Sequence, residues 1–181
     1  MLGILLVCAA PVFLSYFMYY VVRPDGRTNY GSLLSPIVDA SKLSIKVDEK
    51  PTTLAALKGK WLMVTVGPSS CDDACAERLY LARQVRETTG REKDRIELVW
   101  VVTDSGKPLQ KILDAYPTVK RVTAEVDAVG AVLPVESGAN VVAHTYVVDP
   151  LGNVIMRFPA KPDPSKMKKD MSKLLRASRI G

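Results

Sequence analysis

No charged residue interrupts the stretch from Leu2 to Val22, LGILLVCAAPVFLSYFMYYVV, and most of its side chains are apolar. Its 21 residues, at about 1.5 Å per residue, match the roughly 30 Å hydrocarbon core of a bilayer. The pattern predicts one transmembrane helix, with Tyr16, Tyr19 and Tyr20 at an interfacial aromatic belt. The run is longer than the apolar region of a signal peptide, and no small-x-small site precedes Arg23, so the segment reads as a retained anchor. Cys8, inside the run, reads as an apolar membrane cysteine. From Arg23 to about Ser41 the chain turns to Pro, Gly, Ser and Asn, the composition of a tether. The predicted organisation is therefore an anchor over residues 1–22, a linker over 23–42 and a folded domain over 43–181.

Within the domain, two nearly unbroken apolar runs, Trp61 to Val66 and Ile96 to Thr103, predict buried strands. An amphipathic pattern from about Asp72 to Thr89, closed by Gly90, predicts a helix between them, and a further helix is expected around Pro108 to Tyr116. Val141–Asp149 and Asn153–Phe158 flank Pro-Leu-Gly as a hairpin, and a terminal helix follows with Pro164 in its first turn. Alternating β and α units imply parallel pairing under helices, and a closing hairpin and helix add an antiparallel edge. The predicted fold class is α/β, a thioredoxin-like mixed sheet flanked by helices.

The net charge of +6 comes from the end of the chain, where eight Lys and Arg from Arg157 to Gly181 face only Asp163 and Asp170. No base-reading motif accompanies them, so nucleic acid is not an expected partner. Lys166, Lys168, Lys169, Lys173, Arg176 and Arg179 either hold the domain near anionic lipid or an acidic partner, or form a solvated helix face with cations near its C-terminus. Arg23 and Arg27 lie after the apolar run, and by the positive-inside rule alone would leave the domain in the cytoplasm. The chemistry of the domain argues for the other side.

That chemistry centres on Cys71 and Cys75, two of three cysteines in the chain, in GPSSCDDAC. Cys71 falls in the turn leaving the first buried strand and Cys75 one helical turn later, so both sulfurs face one small space at a helix N-terminus, where thiolate is favoured. An inert structural disulfide, or two unrelated buried cysteines, is the alternative. Three intervening residues make a wider bite than the C-x-x-C of dithiol oxidoreductases. Asp72 and Asp73 either oppose thiolate formation and favour a nearby cation, or are ordinary first-turn acids. His144 is the only histidine. Its place at the hairpin strand lets it complete a site of two sulfurs and one nitrogen suited to copper, with zinc as competitor, or leaves it a satisfied half-buried residue.

The segments LAALKGKWLMVTVGPSSCDDACAERL, WVVTD and TYVVDPLGN resemble the Sco/SenC family of membrane-anchored copper chaperones for cytochrome oxidase. The resemblance implies that Cys71 and Cys75 are the cysteine ligands and that Asp104 matches the family's aspartate. It also implies copper(I)/copper(II) as cofactor and the copper-bearing subunit of a respiratory oxidase as partner. Asp72 stands where the family has proline. His144 lies three residues beyond the family's histidine position, which falls here at Val141. The expected protein is a single-pass inner-membrane chaperone with its domain in the periplasm, where a paired dithiol persists as a disulfide. A tethered thiol:disulfide oxidoreductase, with Cys71 attacking and Cys75 resolving, is the other reading.

Overall fold

The computed structural model describes residues 2–21 and 29–181, without the side chains of positions 2, 4, 5 and 6. The two apolar runs stand at its centre. Strand β4 (Trp61–Gly67) is buried at all seven positions and pairs in parallel with β5 (Ile96–Val102) along its whole length. On its other side β4 runs antiparallel to β7 (Thr145–Val148), which forms the predicted hairpin with β8 (Asn153–Phe158). With β1 (Ser32–Asp39), β2 (Ser44–Val47), β3 (Lys50–Thr53) and β6 (Lys120–Thr123), these make one eight-stranded sheet in the order β1-β8-β7-β4-β5-β6-β2-β3.

Because successive strand residues point to opposite faces, the sheet carries two cores. On one face Trp61, Met63, Leu98, Trp100, Val147 and Phe158 pack under α2 (Asp73–Thr88), α3 (Gln110–Ala115) and α5 (Pro164–Ala177). On the other, Leu62, Val64, Val66, Val99, Val101 and Tyr146 meet α4 (Val126–Val132) and the arm around Leu54. Arg95 fastens the end of α5 by donating to the carbonyls of Leu175, Ser178, Ile180 and Gly181.

Three expectations change. The linker predicted for residues 23–42 is too long, because β1 lies inside it and pairs antiparallel with β8 at the sheet edge. Pro36 is tolerated on an edge, where its missing N–H costs no ladder bond, and the register shifts between Leu33 and Val38. Val141–Ala143 is a 3-10 turn, so the hairpin strand starts at Thr145. The apolar amino-terminal run is helical as α1 (Leu2–Tyr20), but among the described residues no helix is long and apolar enough to cross a membrane. Val22, Arg23 and Arg27, on which the span's end and the charge rule depend, lie outside the described residues.

Candidate functional site

Strand β4 ends at Gly67 and the chain must turn into α2 within six residues. Asp72 caps the helix, its carboxylate accepting from the Cys75 amide at 2.8 Å. This is the first-turn role open to an acid here, and it commits Asp72 to the backbone. Cys71 takes a left-handed φ of 37°, unusual for a side chain with a Cβ, and its amide donates to the Pro68 carbonyl at 3.0 Å. The turn thereby aims Cys71 at Cys75, and the two form a disulfide with Cα atoms 5.1 Å apart. Cys75 is fully buried and Cys71 is 5% exposed, so both cysteines belong to the core under α2.

Gly67 makes the approach possible: a Cβ there would stand 3.1 Å from Cys75 Sγ and 3.7 Å from Trp100 Nε1. Trp100 Nε1 and Thr65 Oγ1, both on this side of the sheet, are buried without a hydrogen-bond partner. Arg78, three residues after Cys75 on the same buried face of α2, is a second unannounced feature. Its Nε is buried and unpartnered, and burial holds its pKa below the usual guanidinium value, opposed by the charges of Asp72 and Glu77. A cation one turn from Cys75 favours thiolate once the disulfide is reduced. The sequence signal was there: an arginine among Leu79, Ala82 and Val85 on the apolar side of α2.

Asp104 does not reach the sulfurs with a ligand role; it ties down their turn. Both of its carboxylate oxygens accept from the Ser69 amide, at 3.2 and 3.1 Å, and one accepts from the Gly106 amide at 3.1 Å. The Ser69 side chain above all holds the Asp104 carboxyl below the ordinary carboxylate value; burial opposes it, and the Ser69 and Gly106 amides add to the lowering. Because the folded value lies below the unfolded one, this tie is fully present above about pH 3.9 and is lost as pH falls through the lower folded value. Asp104→Ala is therefore expected to loosen the turn at neutral pH. A thiol reductant should open the Cys71–Cys75 disulfide faster in the variant, and an unchanged rate would show that Ser69 is held by other means.

His144 is corrected. Strand alternation sets it with Tyr146, whose ring centroid is 6.1 Å away, and Tyr146 belongs to the core opposite the cysteines. Its Nδ1 lies 3.0 Å from the Phe158 carbonyl oxygen, and its Nε2 is buried without a partner. Burial likewise pushes the Tyr146 hydroxyl up to about 12. Among the described residues no three His, Cys, Asp or Glu side chains gather as a metal group. The structure joins Cys71 and Cys75 in a disulfide, while His144 packs beside Tyr146 and the Phe158 carbonyl.

A mixed sheet under helices, with a disulfide at the N-terminus of the first helix after the central strand, defines a thioredoxin-like dithiol protein. Residues 61–178 match the family described as transmembrane-like, thioredoxin-like, C-terminal domain, and the chain belongs to it. No curated protein matches. Among solved structures the chain is similar to yeast Sco1, at 16% identity over 80% of this chain and 98% of that one, with a TM-score of 0.64. It is similar to yeast Sco1 with copper bound at 17% identity, over 75% and 91% of the two chains, with a TM-score of 0.61. A third match is BsSco, described by its disulfide switch and as a member of the Sco family of cytochrome c oxidase assembly proteins. It is 17% identical over 79% of this chain and 99% of that one, with a TM-score of 0.54. The resemblance to the Sco/SenC family therefore holds at the level of the fold.

Proposed function

We propose that this protein is a membrane-anchored copper chaperone whose Cys71–Cys75 pair, when reduced, carries copper(I) to the copper-bearing subunit of a respiratory oxidase. The observation that carries the reading is the bonded pair itself, at the N-terminus of α2 on a fold shared with a Sco1 that binds copper. Two soft thiolates suit copper(I), and the donor set fits it only in the reduced state. Opening the disulfide takes two electrons and two protons from a thiol reductant, which leaves as its own disulfide. Copper(I) then displaces both thiol protons. Arg78 favours the thiolates, and the Asp104–Ser69 tie keeps the turn that sets their separation. The uncharged run from Leu2 to Val22, which extends past α1, supports a single inner-membrane anchor, and a disulfide supports a domain on the periplasmic side.

A second reading has its own observation. Cys71 and Cys75 already form a disulfide with Cα atoms 5.1 Å apart, the pair that a tethered thiol:disulfide oxidoreductase would use to attack and to resolve. Titration of the full-length chain in detergent with copper(I) against a competing chelator separates the two, with Cys8 replaced by serine so that only the pair remains. About one copper(I) per reduced chain and none per disulfide-bonded chain is expected of a two-thiolate site. No uptake by the reduced chain would leave the oxidoreductase reading in its place.

A further inference from the structure

Residues 29–31, where the described chain resumes after α1, are fastened to α5. Buried Asp170 accepts from the amides of Tyr30 and Gly31 at 2.6 and 2.8 Å. The Tyr30 hydroxyl accepts from the Asp163 amide at 3.0 Å, and Lys166 Nζ stands 5.2 Å from the centre of the Tyr30 ring. Lys173 Nζ donates to Asn29 Oδ1 at 3.5 Å. The chain therefore enters the domain along α5, and seven residues, 22–28, separate Val21 from Asn29. Eight virtual bonds reach at most about 29 Å, less than the roughly 40 Å breadth of a globular unit of this size. Whatever holds α1 is held near the α5 side of the domain.

That side has one sign of charge. Met167, Met171 and Leu175 are buried against the sheet, and Lys166, Lys169 and Arg176 recur at i, i+3 and i+10 on the exposed stripe, with half-exposed Lys173 between them paired to Asp170 at 3.6 Å. The acids beside them are already used: Asp163 caps α5 through the amides of Ser165 and Lys166, and Asp170 is turned inward. We propose that this stripe docks the domain on the anionic phospholipid headgroups of the bilayer that holds α1. The inference rests on the anchor reading above. A short leash keeps the stripe near the headgroups, and each Lys or Arg at such a surface adds about a five-fold gain in partition, within a screening length of about 8 Å at physiological salt. Docking by α5 fixes which side of the domain faces lipid and leaves the sheet's opposite edge, β3, away from it.

The test places the full chain in nanodiscs of phosphatidylcholine alone or mixed with phosphatidylglycerol. A water-soluble amine-acetylating reagent then reads each lysine by mass spectrometry. Lys166 and Lys169 should react about three-fold or more slowly in the anionic discs, while Lys46 and Lys50, at the far edge of the sheet, stay unchanged. The protection should vanish near 0.5 M salt, where screening falls to about 4 Å, and in a Lys169→Glu/Arg176→Glu variant. Equal rates in both discs, with the chain still bound to them, would overturn the docking and leave the anchor standing. Release of the chain from both discs would overturn the anchor and the docking with it. Protection by soluble polyglutamate in phosphatidylcholine discs, with none from anionic lipid, would overturn the lipid assignment in favour of an acidic protein.

Discussion

Replacing either Cys71 or Cys75 with serine is expected to take copper(I) uptake by the reduced full-length chain from about one equivalent to none, while His144→Ala leaves it unchanged. The first half follows from the donor set, since a single thiolate beside hydroxyl and carbonyl oxygens is a poor match for a soft ion. The second follows from placement: His144 shares a face with Tyr146 and contacts the Phe158 carbonyl, whereas the sulfurs lie under α2. From the sequence alone, His144→Ala should spare copper(I) and remove most copper(II) affinity. The contacts of His144 with Tyr146 and the Phe158 carbonyl point instead to no nitrogen coupling in the paramagnetic resonance of copper(II) added to the wild type. A nitrogen-coupled signal that disappears in His144→Ala would show that reduction rearranges the hairpin and would restore the three-ligand site. An oxidoreductase has a different signature. There Cys71→Ser stops disulfide reduction, and Cys75→Ser accumulates a mixed disulfide between Cys71 and its partner.

What could be read from the chain, and what could not, divides along physical lines. Strands β4 and β5, helices α2 and α5 and the hairpin partner β8 announce themselves because their burial is nearly continuous or strictly periodic, and single-residue signals such as Asp72, Gly90 and Pro164 mark their ends. The Cys71–Cys75 contact was legible for the same reason, being local to one turn. Strand β1 was hidden because an edge strand carrying Pro36, with most of its residues exposed, has neither periodicity nor burial to display. Short β2, β3 and β6 and helix α4 fell below the length at which a pattern is distinguishable. The contacts of His144 were not legible, because it sits at the end of the Val141–Ala143 turn and bonds to Phe158, 14 positions away. Asp104 was found as the aspartate ending its strand, but its task, holding Ser69 across a gap of 35 positions, depends on the parallel pairing of β4 and β5, which brings their ends together.

The entry of the chain onto α5 was equally invisible, and it sets up a large expected loss of stability. Asp170 is 1% exposed, in a helix otherwise rich in lysine, and its Oδ2 accepts from two backbone amides, those of Tyr30 and Gly31. The Gly31 amide is buried and the Tyr30 amide partly so. Removing the acceptor leaves both donors unpaired, at about 1–3 kcal/mol for each such group, so Asp170→Ala should destabilise the domain by about 2–4 kcal/mol. Asp163→Ala is the internal standard. It removes an exposed helix cap bonded to the Ser165 and Lys166 amides and should cost about 1 kcal/mol. Urea unfolding of the full-length chain in detergent, followed by the fluorescence of Trp61 and Trp100, gives both values. Amide exchange at Tyr30 and Gly31 reports the cause directly, since those two protons should lose their protection in Asp170→Ala and keep it in Asp163→Ala. If Asp170→Ala costs no more than the cap and both amides stay protected, the carboxylate does not hold the chain to α5. The leash from the anchor would then be longer than the fold implies.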